Sequence, residues 1–232
     1  MRAGDHLSSM SSNFELYKLI HKGQRSEMFR ISELAGQAEP EDPSCLPVLH
    51  SRIKAFRDEL RNHAHMEETY VHPLLAQRVP GGAQKIELDH VVMHRQIDDL
   101  VAMVEMMQDT SVTLTEKKAV FHELYLAWNR FVAFYLGHID YEEEQAQPEL
   151  WRLCSDEEVK AIFYRIIGSE APEMLAFDLG IMLPAVSPGE RVELARSIAN
   201  APPELRKMIS ETSQRVLSPE DHQELRVKAG LP

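Results

Sequence analysis

An all-α fold is what this sequence predicts: an up-down-up-down four-helix bundle followed by an extension of shorter helices. Three observations carry that expectation. Four stretches of at least ~20 residues place apolar side chains at steps of three and four, the period of a helix face buried in a bundle. Breaks rich in Pro, Gly and acids separate them, at 36–47 (GQAEPEDPSCLP), Pro80-Gly81-Gly82 and 109–115. Past Cys154 the long stretches give way to short amphipathic segments punctuated by Pro and Gly. The expected division is a loose tail over 1–12, a bundle over 13–153 and a helical extension over 154–232.

The first helix is expected from about Ser12 to Ala35, with Phe14, Tyr17, His21, Met28 and Ile31 on one face and Lys18, Lys22, Arg25 and Glu33 mostly elsewhere. The second starts near Ser44 and runs to about Arg78 along Leu49, Ile53, Phe56, Leu60, His63, Glu67, Tyr70 and Leu74. Pro73 denies Thr69 a backbone hydrogen bond, so a kink is expected there. The third spans about Ala83 to Met107, with Ile86, His90, Met93, His94, Ile97, Val101 and Val104 inward; His90 and His94 stand one turn apart. The fourth runs from about Glu116 to Trp151, and its stripe of Val120, Phe121, Leu124, Trp128 and Phe131 leads into Tyr135, His138 and Glu142. In the extension, Ser155-Asp-Glu-Glu158 and Ser187-Pro-Gly-Glu190 read as capping boxes and Ser218-Pro-Glu-Asp221 as another helix start.

Composition narrows the function. A formal net charge of -12 with no basic stripe excludes a phosphate backbone or an anionic lipid surface as a direct partner. No run approaches the ~20 apolar residues that cross a bilayer, and the opening MRAGDHLSSMSS has no apolar core of a secretory signal. The two cysteines, Cys45 and Cys154, form no disulfide framework and no C-x-x-C, as expected of reduced thiols in a cytoplasmic protein. Neither a G-x-S-x-G elbow, a Walker loop nor an H-E-x-x-H motif is present.

The chemistry lies where the apolar stripes turn polar. With 11 histidines, about one H-x3-E pair is expected by chance, so two such pairs decide little alone. More telling, each pair continues the apolar stripe of its helix, and buried polar groups need partners. His21, His63, Glu67, His90, His94, His138 and Glu142 would converge in one bundle, an arrangement that a cation satisfies. Imidazoles with carboxylates suit iron, manganese or zinc rather than calcium or magnesium. Two carboxylates among five imidazoles imply two ions, with Glu67 and Glu142 bridging. If His90, His94 and His138 hold one ion, the other has only His21 and His63 and keeps an open position for dioxygen or another small ligand. The remaining histidines His6, His50, His65, His72 and His122 read as surface residues, with His65 or His72 alternatively supporting a ligand from behind, and Glu68 as an exposed acid. Tyr17 or Tyr70 could donate a hydrogen bond to a bound ligand.

Histidine from the first helix, HAHMEETYVHPLL in the second, H-x3-H in the third and H-x3-E-E in the fourth resemble the hemerythrin-like, or HHE cation-binding, family over about residues 13 to 153. The resemblance implies a non-heme di-iron centre with a bridging oxygen in a four-helix bundle, and roles in binding or sensing oxygen or similar diatomics, or in handling iron. The ligands it implies are His21, His63, Glu67, His90, His94, His138 and a helix-four acid. Oxygen-carrying hemerythrins end H-x4-D, whereas His138 is followed by Glu142 and Glu143. Four residues on keeps the same helix face, which favours Glu142; Glu143 aligns with the carrier position. Some members use a single helix-three histidine in place of the His90–His94 pair. A ferritin-like redox enzyme of oxidase or peroxidase type, the alternative, needs two E-x-x-H motifs, and the bundle offers only Glu87-Leu-Asp-His90. The extension, with His222 its one histidine, is expected to pack on the bundle or to offer a dimer or partner surface.

Overall fold

The computed structural model describes residues 14–42, 44–108, 111–198 and 203–232, so the expected tail over 1–12, with His6, lies outside the described residues. It is helical throughout, with no strand among the described residues. The first leg of the bundle, α1, is Lys18–Gln37. It begins later than the periodicity suggests because amides that would open an earlier turn are engaged elsewhere. Phe14 N–H donates to Asp156 Oδ1 at 2.8 Å and Leu16 N–H to Gln147 Oε1 at 2.7 Å, while Trp151 Nε1 donates to Phe14 O at 2.9 Å.

The second leg is α2, Cys45–Tyr70, followed by the short α3, His72–Arg78. The expected kink is a full break at Val71, with Pro73 in the first turn of α3, where its missing N–H costs nothing. The break re-phases the chain: Val71 and Leu75 are buried, and the predicted Tyr70 and Leu74 only partly so. A turn with Gly81 at φ +73 leads to the third leg, α4, Gln84–Gln108. The fourth opens on a capping box, Thr113 with Glu116, and comprises α5 (Leu114–Tyr141), a π-helical segment (Glu142–Ala146) and α6 (Gln147–Leu153).

The bundle interior divides in two. One end is apolar, with Ile53, Phe56, Val104, Leu124 and Trp128 fully buried; Trp128 meets Phe56 edge-on at 6.1 Å and donates to Met28 O at 3.1 Å. The other end holds the histidines.

The extension consists of α7 (Asp156–Ser169), α8 (Pro172–Ala185), α9 (Pro188–Ser197), α10 (Pro203–Val216) and α11 (Pro219–Ala229). Ser155–Glu158 and Ser187–Glu190 are capping boxes, and Ser218 caps α11 through Asp221 N–H, as expected. Its helices share a core of Leu179, Leu183, Leu194, Ala195, Ile209 and Leu225, against which Leu19 and Ile20 of α1 also pack. Contact between α1 and α8 is close at Gly23, where a Cβ would lie 3.0 Å from Met182 N and 3.1 Å from Ile181 Cγ1. The extension therefore packs on its own bundle. Among the described residues no helix is long and apolar enough to cross a membrane.

Candidate metal centre

Six side chains from all four legs meet at the polar end of the bundle. His63 and Glu67 stand one turn apart on α2, as do His138 and Glu142 on the fourth leg, so each pair shares a face. His138 Nε2 lies 3.1 Å from Glu142 Oε1, and His21 Nε2 lies 3.3 Å from Glu142 Oε2. His63 Nε2 is 3.4 Å from Glu67 Oε1; His90 Nε2 is 3.3 Å from Glu67 Oε2 and 3.9 Å from Glu142 Oε1. One ligand atom from each of His21, His63, Glu67 and Glu142 falls within 4.8 Å of the others, and the same holds for His90, His138 and Glu142. Glu142 belongs to both groups. Apart from His63, at 12% exposure, these side chains are at most 3% exposed. Every facing imidazole Nε2 and both oxygens of each carboxylate lack a hydrogen-bond partner. Such orphaned buried atoms are costly unless a cation joins them.

Behind three of the imidazoles stands another carboxylate. His21 Nδ1 donates to Glu143 Oε1 at 2.9 Å, and Arg25 holds that same oxygen at 2.6 Å. His90 Nδ1 lies 3.1 Å from Glu68 Oε1, and His138 Nδ1 faces Asp89 Oδ2 at 3.5 Å. A proton on Nδ1 leaves Nε2 free as a metal-binding lone pair, so Glu143 and Glu68 set the tautomer and aim the rings of His21 and His90. Further back, Tyr135 donates to Gln24 Oε1 at 3.0 Å and Gln24 to the buried Glu59 at 2.8 Å. Tyr17 stacks on His21 at 5.3 Å, and its buried hydroxyl has no partner.

Charges in the site are already uneven. Burial alone would raise Glu142, but His138 and His21 close beside it hold it well below the usual carboxylate range. Glu67, buried beside that charge, is pushed well above it. Burial opposes protonation of His21, yet Glu142 and Glu143 raise it to about 9. Burial and the His21 charge lower His63 to about 3. At pH 7 the metal-free site thus holds a proton on His21 and a free lone pair on His63. A cation bound among these atoms must displace the His21 proton, so loading should release at least about one proton per chain at pH 7. Affinity should climb with pH towards about 9, where His21 deprotonates unaided. The raised His21 stabilises the metal-free fold fully below about pH 6.5, and that contribution is lost as pH rises through about 9. Calorimetry in buffers of different ionisation heat counts the protons; none released would mean that metal binds elsewhere.

Two predicted ligands stand apart from the groups. His94 is half-buried, its ring 6.3 Å from that of His90 and outside both sets of converging atoms. It is one turn further along α4, and its Nε2 is also buried without a hydrogen-bond partner. Glu143 turns outward to His21 and Arg25 and orients rather than joins the cluster. His72, expected at the surface, is 2% exposed and stacks on His90 at 5.5 Å, because the break at Val71 rotates α3 inward. His65 and His122 are exposed as expected, and His50 is partly buried near Glu105. Periodicity gave no hint of Asp89, which serves a histidine on another helix.

Compared with known families, the chain matches the hemerythrin HHE cation binding domain over residues 12–161. No curated protein and no solved structure matches the chain.

Proposed function

The chain belongs to the hemerythrin HHE cation-binding domain family, and from that premise we propose that it holds two non-heme iron ions and uses them to bind or sense dioxygen or a related diatomic ligand. His21 and His63 would hold one ion and His90 and His138 the other, with Glu67 and Glu142 shared between them. The observation that supports this most is the set of orphaned Nε2 and carboxylate atoms converging at the polar end of the bundle. With His94 outside the set, the residues that would hold each ion number fewer than the six positions iron favours. Bound iron would supply the open positions and the electrons for ligand binding.

The chain's own residues do the rest. Glu143 and Glu68 fix the ring orientations of His21 and His90, and Asp89 faces His138 from behind. The buried Tyr17 hydroxyl, raised well above its ordinary range by burial and by Glu67 and Glu142, stays protonated and can donate to a ligand. Four imidazoles against two carboxylates favour holding a small ligand over the oxidations that carboxylate-rich sites perform.

Anaerobic reconstitution with ferrous iron tests the reading. About two irons per chain, with near-ultraviolet bands on admitting air, is the expected result. A protein that binds no metal and melts at the same temperature with or without iron would overturn it.

A further inference from the structure

A cavity of about 430 Å³ lies between α1, α2 and the extension, within the size range of small-molecule sites. Its walls are mainly apolar, with Phe163, Ile166, Leu175, Leu179, Met182 and Ile209 prominent. One end reaches Tyr17, His63 and Glu67 of the centre.

The cavity also holds a buried acid with no cationic partner. Asp178 is 7% exposed, and its Oδ1 has no hydrogen-bond partner. Its carboxyl neighbours that of Glu170, which accepts from Asn62 Nδ2 at 3.1 Å. Among the described residues no Lys, Arg or His forms an ion pair with either. The cations lining the cavity are engaged elsewhere: Lys18 with Glu15 at 2.6 Å and Glu190 at 3.6 Å, and Lys160 with Asp156 at 3.6 Å. Burial, with the charges of Glu59 and Glu170, pushes the Asp178 carboxyl well above its usual range. A buried carboxyl beside a half-buried one in an apolar chamber lacks a positive group rather than a further anion. A metal ion would need more converging donors than the two carboxyls provide, and the hydrocarbon walls offer none.

We propose that this cavity binds a small apolar molecule bearing one ammonium group, with the ammonium on Asp178 and Glu170 and the hydrocarbon along the apolar wall towards Tyr17 and His63. The inference is independent of the metal, which only borders the cavity. Isothermal titration of the full chain at pH 7 with n-octylammonium, n-octanol and octanoate tests it, on chelator-stripped and on iron-loaded protein. Octylammonium should bind at least tenfold more tightly than the other two, with or without iron. Asp178→Asn should reduce it to the level of octanol while leaving metal content unchanged. Should that variant fail to fold by circular dichroism, Glu170→Gln carries the same expectation. Equal binding of octanol, no binding, or an unchanged variant would overturn the proposal. So would octylammonium binding seen only with iron, which would mark amine ligation of the metal.

Discussion

Glu142→Gln is expected to empty both halves of the centre at once. The carboxylate is fully buried and is common to both groups of converging atoms, 3.1 Å from His138, 3.3 Å from His21 and 3.9 Å from His90. Glutamine keeps the shape but removes the charge that would neutralise a cation, and its amide N–H₂ can turn a donor towards the imidazoles. Loss of groups merely behind a ligand typically costs 10–100-fold in metal affinity. Loss of the shared carboxylate should therefore cost on the order of 100-fold or more, and bound metal after dialysis should fall from about two ions per chain to well below one. Proton release provides a second readout. Without the Glu142 charge, His21 loses its strongest support for protonation, so fewer protons should be released on any residual binding. Elemental analysis beside a thermal melt separates metal loss from unfolding. Two ions retained by a folded variant would remove Glu142 from the centre.

The second large effect concerns packing. Gly23→Val is expected to destabilise the metal-free protein by about 3 kcal/mol, the upper end of overpacking costs, and to lower its melting temperature by roughly 6–12 °C. The added Cβ would stand 3.0 Å from the backbone nitrogen of Met182, which cannot swing aside as a side chain can, and 3.1 Å from Ile181 Cγ1. Valine's two further methyls cannot be housed without moving α8 off α1. That movement would disrupt the contact of Leu19 and Ile20 with the extension core. A melt unchanged by the substitution would mean that α8 does not rest on α1.

Those two positions differ in how far the sequence alone discloses them. His21, His63, Glu67, His90, His138 and Glu142 could be read directly because a buried helix face has a fixed period, and a polar group on it stands out. His94 obeys the same period yet lies beyond the cluster, since periodicity gives the face of a helix and not the height at which its neighbours meet it. His72 was hidden for the opposite reason: the break at Val71 restarts the phase, and only the folded chain shows which way α3 turns. Asp89, Glu68 and Glu143 look like ordinary surface acids until inter-helix distances are known. The helix starts of the extension were legible from their capping residues. Its seat on α1 was not, because a glycine accepting a neighbouring backbone leaves no pattern. The cavity around Asp178 likewise arises from segments more than a hundred residues apart.

The π-helical segment gives the spacing of the fourth-helix ligands a mechanical meaning. It begins at Glu142, whose N–H still reaches His138 O and Ile139 O, and Gln147 N–H then reaches back five residues to Glu142 O. A turn of that kind holds one residue more than an α-turn, so it advances by one the residue presented to a given neighbour. Because the wide turn comes after Glu142, the pair reads as four apart and Glu143 is swung out to Arg25. The same turn placed one step earlier, between His138 and the acid, would present the fifth residue instead. Helix pitch thus works as a selector between the four- and five-residue spacings, and the position of one wide turn decides which carboxylate faces the centre and which stands behind the ring of His21.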